Sequence, residues 1–293
     1  MTVAELSNLR CPTLPAGVAI RRADVFTAVD RPDRLELELV DSDIGAGRHG
    51  DAGAGRHDTQ RSLEELGGGP LRPGRALEFW IGSRRLFSGR VERCGFRLDR
   101  QGGRWLSVAY TDYESRRSHL ADDTYYQLTD AEIAARIAVE LGLEPRVEPT
   151  REVYARVERH GDPLRFLRER ARRIGFELAV TPTDLIFASD VPSRAGAPRR
   201  VDRNANLIEL DVEEHGPLGR GGGLALAGDA SWQPLVEFDL SGFGRAWDAR
   251  YRTVRCRHYI SESGYRSVVD FLEEGTDLET WKGTGKWTSA TRR

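Results

Sequence analysis

The period of the apolar residues changes twice along the chain, and this limits the possible folds more than any other feature. In Val18 to Val25 and in Leu35 to Val40 (LELELV), apolar and polar residues alternate. Alternation places one face of a strand on a core and the other in solvent. Arg31-Pro32-Asp33 supplies the turn between them. ALEFWIGSRRLFSGRVERCGFRLD, from Ala76 to Asp99, reads as a hairpin turning at Gly82-Ser83, and WLSVAYTDY at 105–113 as a further strand. From Thr129 to Leu141 the period becomes helical, with Ile133, Ile137 and Leu141 on one stripe. Thr129 and Glu132 match a capping box, and Gly142 stops the helix. A strand is expected around Val153 to Val157. Asp162 then caps a second helix with Pro163 at its first position, Leu164, Leu167, Ala171 and Ile174 as its apolar stripe and Gly175 at its end. Residues 176–189 (FELAV-TPTD-LIFAS) predict a hairpin. Residues 190–204, rich in Pro and Arg, predict a connector. Alternation then returns in LIELDVEEH, LALAG, PLVEFDL, YRTVRCRHYI and YRSVVDFLEE, with Gly216 to Gly223 read as a loop.

The expected fold class is therefore α+β, mainly β: two separate β-barrel-like domains flanking a small α+β domain. The boundaries predicted are 1–115 for the first β domain, 116–190 for the central domain, 191–275 for the second β domain and 276–293 for an extended polar tail. Asp41 to Gly69 interrupts the first domain with a Gly-rich insertion. It holds a near-repeat, GAGRHGD at 45–51 and GAGRHDT at 53–59.

Charge and motifs exclude several classes of function. With 44 basic and 46 acidic residues, the chain lacks the basic excess of a general nucleic-acid binder. No apolar run reaches membrane-spanning length, and the start lacks the pattern of a secretory signal, so assembly in the cytoplasm is expected. Cys11, Cys94 and Cys256 show no metal or redox spacing and read as small buried apolar residues. GAGRHG at 45–50 fits a dinucleotide fingerprint in letters only, since no helix pattern follows it. GTGKWTS at 283–289 echoes a phosphate loop, but Thr280 occupies the required first glycine. His49, His57, Asp51 and Asp58 lie in the glycine repeat, where no scaffold fixes ligand geometry, and a duplicated loop is the simpler reading. Asp122-Asp123 and Glu213-Glu214 are adjacent pairs, which suit no convergent acid–base site. No catalytic residue, metal or cofactor is expected.

One segment carries a resemblance. ERHGDPLRFLRERARRIGFELAVTPTDLIFAS, at 158–189, resembles the late control protein D family of phage tail hubs, related to the N-terminal part of the valine-glycine-repeat spike proteins of type VI secretion. The matching positions are Asp162, Phe166, Leu167, Arg170, Ala171, Gly175 and Phe176. LTDAEIAARIAVELGL at 128–143 looks like the family's preceding helix. LFSGRVE at 86–92, with Gly89, resembles a strand of its first barrel. YRTVRCRHYISESGYRSVVDF at 251–271, turning at Gly264-Tyr265, resembles its closing strand pair.

The resemblance implies a non-enzymatic baseplate hub subunit of a contractile tail or injection system. It implies a homotrimer whose paired barrels adapt a six-fold tail tube to a three-fold spike. The implied partners are the tail tube or a tube-initiator protein, baseplate wedge proteins and a spike protein expected to be separate, since the family's fused needle is missing from these 293 residues. The particle would be a virion or an injection device. Candidate interface residues are Arg165, Arg168, Arg172 and Arg173 on the second helix and Trp281, Lys282, Lys286 and Trp287 in the tail. For the helix arginines, a solvated face paired with glutamates such as Glu169 competes with an acidic neighbouring subunit. The competing functions are a tail-borne cell-wall hydrolase or carbohydrate-binding module, with sugars stacked on Trp80, Trp105, Trp232, Trp247, Trp281 and Trp287, and a monomeric scaffold.

Overall fold

A computed structural model describes residues 9–14, 18–41, 69–99, 102–117, 119–191, 198–202, 207–214 and 219–276. The first strand-rich region supplies β1 (Leu9–Arg10), β2 (Val18–Ala28), β3 (Arg34–Asp41), β4 (Ala76–Ile81), β5 (Arg84–Asp99) and β6 (Gly102–Tyr110). A short helix, α1 (Asp112–Arg117), follows. The central block holds β7 (Asp123–Thr129), α2 (Asp130–Leu141), β8 (Glu144–Val147), β9 (Val153–Arg159), α3 (Pro163–Ile174), β10 (Glu177–Val180) and β11 (Asp184–Ala188). The last region supplies β12 (Arg199–Val201), β13 (Leu207–Glu214), β14 (Arg220–Ala227), β15 (Glu237–Leu240), β16 (Ala249–Ser261) and β17 (Gly264–Glu273). The class is α+β, mainly β.

Local chemistry accounts for the helices. Thr129 and Glu132 form the reciprocal capping box of α2, and Gly142 closes it in the left-handed conformation. Asp162 accepts hydrogen bonds from the backbone N–H of Leu164 (2.8 Å) and Arg165 (2.9 Å) at the start of α3, and Gly175 ends it at φ 71°. Both helices bury their apolar stripes in one core with Leu178, Leu185 and Phe187 of the β10–β11 hairpin. The hairpin is completed by β8, parallel to β11.

The two strand-rich ends differ from the expectation of separate units. Strands of both join in one twelve-stranded sheet, in the order β1-β4-β5-β6-β3-β2-β16-β17-β14-β13, with β12 and β15 branching from β16. The fusion is the antiparallel pairing of β2 with β16, from Ala28 opposite Arg255 to Arg22 opposite Ser261. Each half keeps its own core. One lies around Leu35, Leu37, Phe79 and Phe87, and the other around Trp232, Phe238, Tyr251 and Phe271. Alternation specifies which face of a strand is buried but not which strand lies at its edge. The seam was therefore invisible in the pattern.

Two further expectations need correction. Gly221, Gly222 and Gly223 form part of β14 rather than a loop. A β-carbon at Gly222 would collide with the carbonyl of Asp211 on β13, so close strand approach explains the glycine. Within the predicted connector, Arg199–Val201 is a strand parallel to β15, and Val201 is buried in the last core. The bulk of the Gly-rich insertion and nearly all of the tail lie outside the described residues. No helix among the described residues is long and apolar enough to cross a membrane.

Candidate functional site

The resemblance-derived positions are structural. Leu167 and Ala171 are fully buried on the stripe of α3. Phe166 packs at the rim of the same core, its ring 6.2 Å from Tyr125, and Phe176 lies 5.4 Å from Phe187. Arg170 is buried. Its Nε donates to Asp130 on α2, and its guanidinium lies 4.3 Å over the ring of Tyr154 on β9. Tyr154 in turn donates to Asp130 at 3.1 Å. One arginine thus fixes two helices and a strand, with its charge compensated and stacked. Gly89 lies against the Tyr110 carbonyl, which leaves no room for a side chain. Gly264 turns the β16–β17 hairpin at φ 133°.

Tyr265 belongs to a buried network that sequence reasoning passed over. His258 is fully buried, and its Nε2 lies 2.9 Å from the Trp232 carbonyl. A carbonyl only accepts, so Nε2 carries the proton and Nδ1 accepts. The Tyr265 hydroxyl lies 2.9 Å from Nδ1, and Ser267 instead donates to the Asp229 carbonyl at 3.2 Å. Desolvation holds the imidazole down at about 4, so it is neutral. Ser267 lies 3.1 Å from His258, but both are fully closed to solvent, so no substrate reaches the pair.

The candidate functional site is the junction where the three regions meet. Asp30, in the β2–β3 turn, accepts two hydrogen bonds from Arg255 of β16, at 2.6 and 3.2 Å. Its backbone carbonyl accepts one from Arg168 of α3 at 2.6 Å. Next to it, Val29 donates to Val254 at 3.1 Å and accepts from Val180 at 3.0 Å. Val29, Val254, Ala179, Ile186, Leu235 and Leu272 form a separate small core at this point. Buried Arg252 donates to the Val191 carbonyl and lies 3.6 Å from Glu177. Arg257 clamps the seam by gripping Asp24 with two nitrogens. Burial would raise the Asp30 carboxyl, but the hydrogen bond and charge of Arg255, with Arg31, hold it at about 2. Asp270, 3.9 Å from Arg255, is pushed up to about 6 by burial, against the attraction of Arg255 and with the charge of Asp30. The arrangement fastens the three regions to one another.

The arginines of α3 therefore divide. Arg168 is committed to the junction, and Arg165 pairs with Glu169 at 3.1 Å in the helical manner expected for a solvated face. Arg172 and Arg173 remain exposed. Trp281, Lys282, Lys286 and Trp287 lie outside the described residues. Of the tryptophans, Trp232 is core, and Trp80 is half-buried between Arg10 and Arg85. No cluster of three or more metal-ligating side chains occurs among the described residues.

No family model matches the sequence, and no curated protein matches it in sequence. Solved structures do match in shape. The 43 kDa tail protein of prophage MuSo2 from Shewanella oneidensis superposes with a TM-score of 0.64 at 11% identity, covering 87% of this chain and 93% of that one. The tail protein from Neisseria meningitidis MC58 gives 0.62 at 12% identity, over 88% and 93%. The E. coli c3393 protein gives 0.64 at 11% identity, over 90% and 76%. It is described as a component of the type VI secretion system, structurally similar to T4 tail proteins gp27 and gp5. At such low identity the likeness speaks for the fold alone. This chain has the fold of phage and type VI secretion tail proteins.

Proposed function

We propose that the chain is a structural, non-enzymatic baseplate hub subunit, forming a homotrimer between a tail tube and a separate spike. The observation that carries this reading is the likeness to tail proteins over nearly the full length of both chains. Two features of the molecule support it. Among the described residues the twelve-stranded path stops at β1 on one side and at β13 on the other, and open sheet edges are what a ring of copies would cover. The three regions are joined at Val29 and Asp30 by a part-buried ion pair and by backbone bonds. The pairing of β2 with β16 joins two halves that each keep their own core, and the reading rests on the fold and on the edges left open among the described residues. Tube-initiator and wedge proteins are the further partners proposed, and a virion or injection particle is the proposed location.

The test is light scattering of the purified full-length chain, alone and mixed with candidate spike and tube proteins from the same genome. The expected result is a mass of three chains, with a three-fold ring seen by electron microscopy. A chain that stays monomeric with those partners present refutes the hub. Release of fragments from purified peptidoglycan by the chain alone would move the function to the hydrolase reading.

A further inference from the structure

β9 is paired along one edge only. Its ladder with β7 runs from Val153 opposite Thr129 to Arg159 opposite Asp123, and among the described residues no backbone bond reaches its other edge. A groove of about 480 Å³ separates β9 from α3. The groove is lined by Tyr154, Arg156 and Glu158 from one alternation of β9, with Arg156 paired to Glu158, and by Val157 from the other, and by no residue of β7. A hollow that meets both faces of a strand faces its edge. From α3 the groove receives Phe166, the exposed Arg173 and the exposed Arg165–Glu169 pair. It is thus a strand edge, open among the described residues, with aromatic walls and a rim on which arginines outnumber carboxylates.

The sheet path ends on a strand of opposite character. Among the described residues β13 pairs with β14 alone, and it carries Glu209, Asp211 and Glu214 as exposed side chains. The ladder skips Ile208 at a bulge, leaving it 53% exposed. Carboxylates on an edge strand repel a second such edge. The same carboxylates suit a partner edge rimmed by arginine.

We propose that β13 of one copy adds as a third strand to the free edge of β9 in a neighbouring copy, with Glu209 and Asp211 facing Arg156, Arg165 and Arg173. Main-chain bonds supply the addition and the charges its direction. The donor and acceptor surfaces differ, so each copy gives one and receives one, a contact that forms a ring where its rotation closes. This inference rests on the proposed assembly of copies and names the contact that makes it.

The experiment measures binding of a labelled peptide, Leu207 to Glu214, to the full-length chain by fluorescence anisotropy. A scrambled peptide of equal charge and the double variant Arg156→Glu/Arg173→Glu are the controls. Both groups are exposed, so the variant folds, and circular dichroism checks this. The expected result is saturable binding that weakens at least tenfold in the variant and with the scrambled peptide. Peptide that fails to bind, or that binds all three alike, overturns the contact. Light scattering of Glu209→Arg/Asp211→Arg separates the two readings. Trimers that persist in this variant leave the ring standing and discard the β13–β9 contact. A chain monomeric under every condition, yet binding the peptide, retains the groove and discards the ring.

Discussion

His258 has both ring nitrogens engaged and no access to solvent, so its proton balance is a property of folding rather than of chemistry. Its folded value near 4 lies below the ordinary 6.5. The unfolded chain therefore takes up a proton first as pH falls. Stability from this residue is complete above about 6.5 and lost by about 4, a swing of about 3 kcal/mol. Chemical denaturation at pH 7 and pH 4 is expected to show wild type losing that much relative to His258→Gln. Asp270 has the opposite sign. Its carboxyl is raised from 3.8 to about 6, so stability falls as pH rises between those values and the cost is complete above about 6. Asp270→Asn is expected to stabilise the chain at pH 8 by about 1–3 kcal/mol, with the gain gone by pH 4. Neither residue was singled out for this role from sequence, because a lone histidine or aspartate in an alternating strand carries no mark of its neighbours.

At the scale of elements, α2 and α3 were legible almost to the residue. Their caps are side-chain events within three or four positions, and such local chemistry can be read along a chain. Asp162→Ala should lower the midpoint of thermal unfolding through a loss of about 1 kcal/mol, without changing secondary structure by circular dichroism. Arg170 was legible as a motif position but not as a fastener. Its partners Asp130 and Tyr154 come from different elements. Arg170→Met strands the buried Asp130 carboxylate, and a loss of about 3–5 kcal/mol is expected in urea titrations. A loss below about 1 kcal/mol would mean the pair is solvated. Strand β14 shows the opposite failure. A glycine run reads as loop, yet in β14 it is required by the closeness of β13.

For the whole molecule, the junction at Val29 and Asp30 makes the three regions one mechanical body. Arg255 joins β16 to the β2–β3 turn, and Arg168 joins α3 to the same residue. Asp30→Ala removes the partner of a largely buried arginine. It should cost about 2–4 kcal/mol. It should also loosen the central region from the sheet, seen as faster backbone hydrogen exchange at Val180 and Val254. Unchanged exchange there would show that the small core of Leu235, Val254 and Leu272 suffices by itself.

The chain's own order of residues determined the α+β, mainly β class, the two capped helices, the hairpins at Gly82 and Gly264 and the near-neutral charge balance. Each of these depends on periods, caps and turns that act over a few positions. Only the tertiary structure decided that both strand-rich ends share one sheet through β2 and β16, and that Asp30, Arg168 and Arg255 form a joint. Edge pairing and ion pairs between residues more than a hundred positions apart leave no periodic trace. Hydrophobic alternation selects a face, and the choice of neighbour is made by packing in three dimensions.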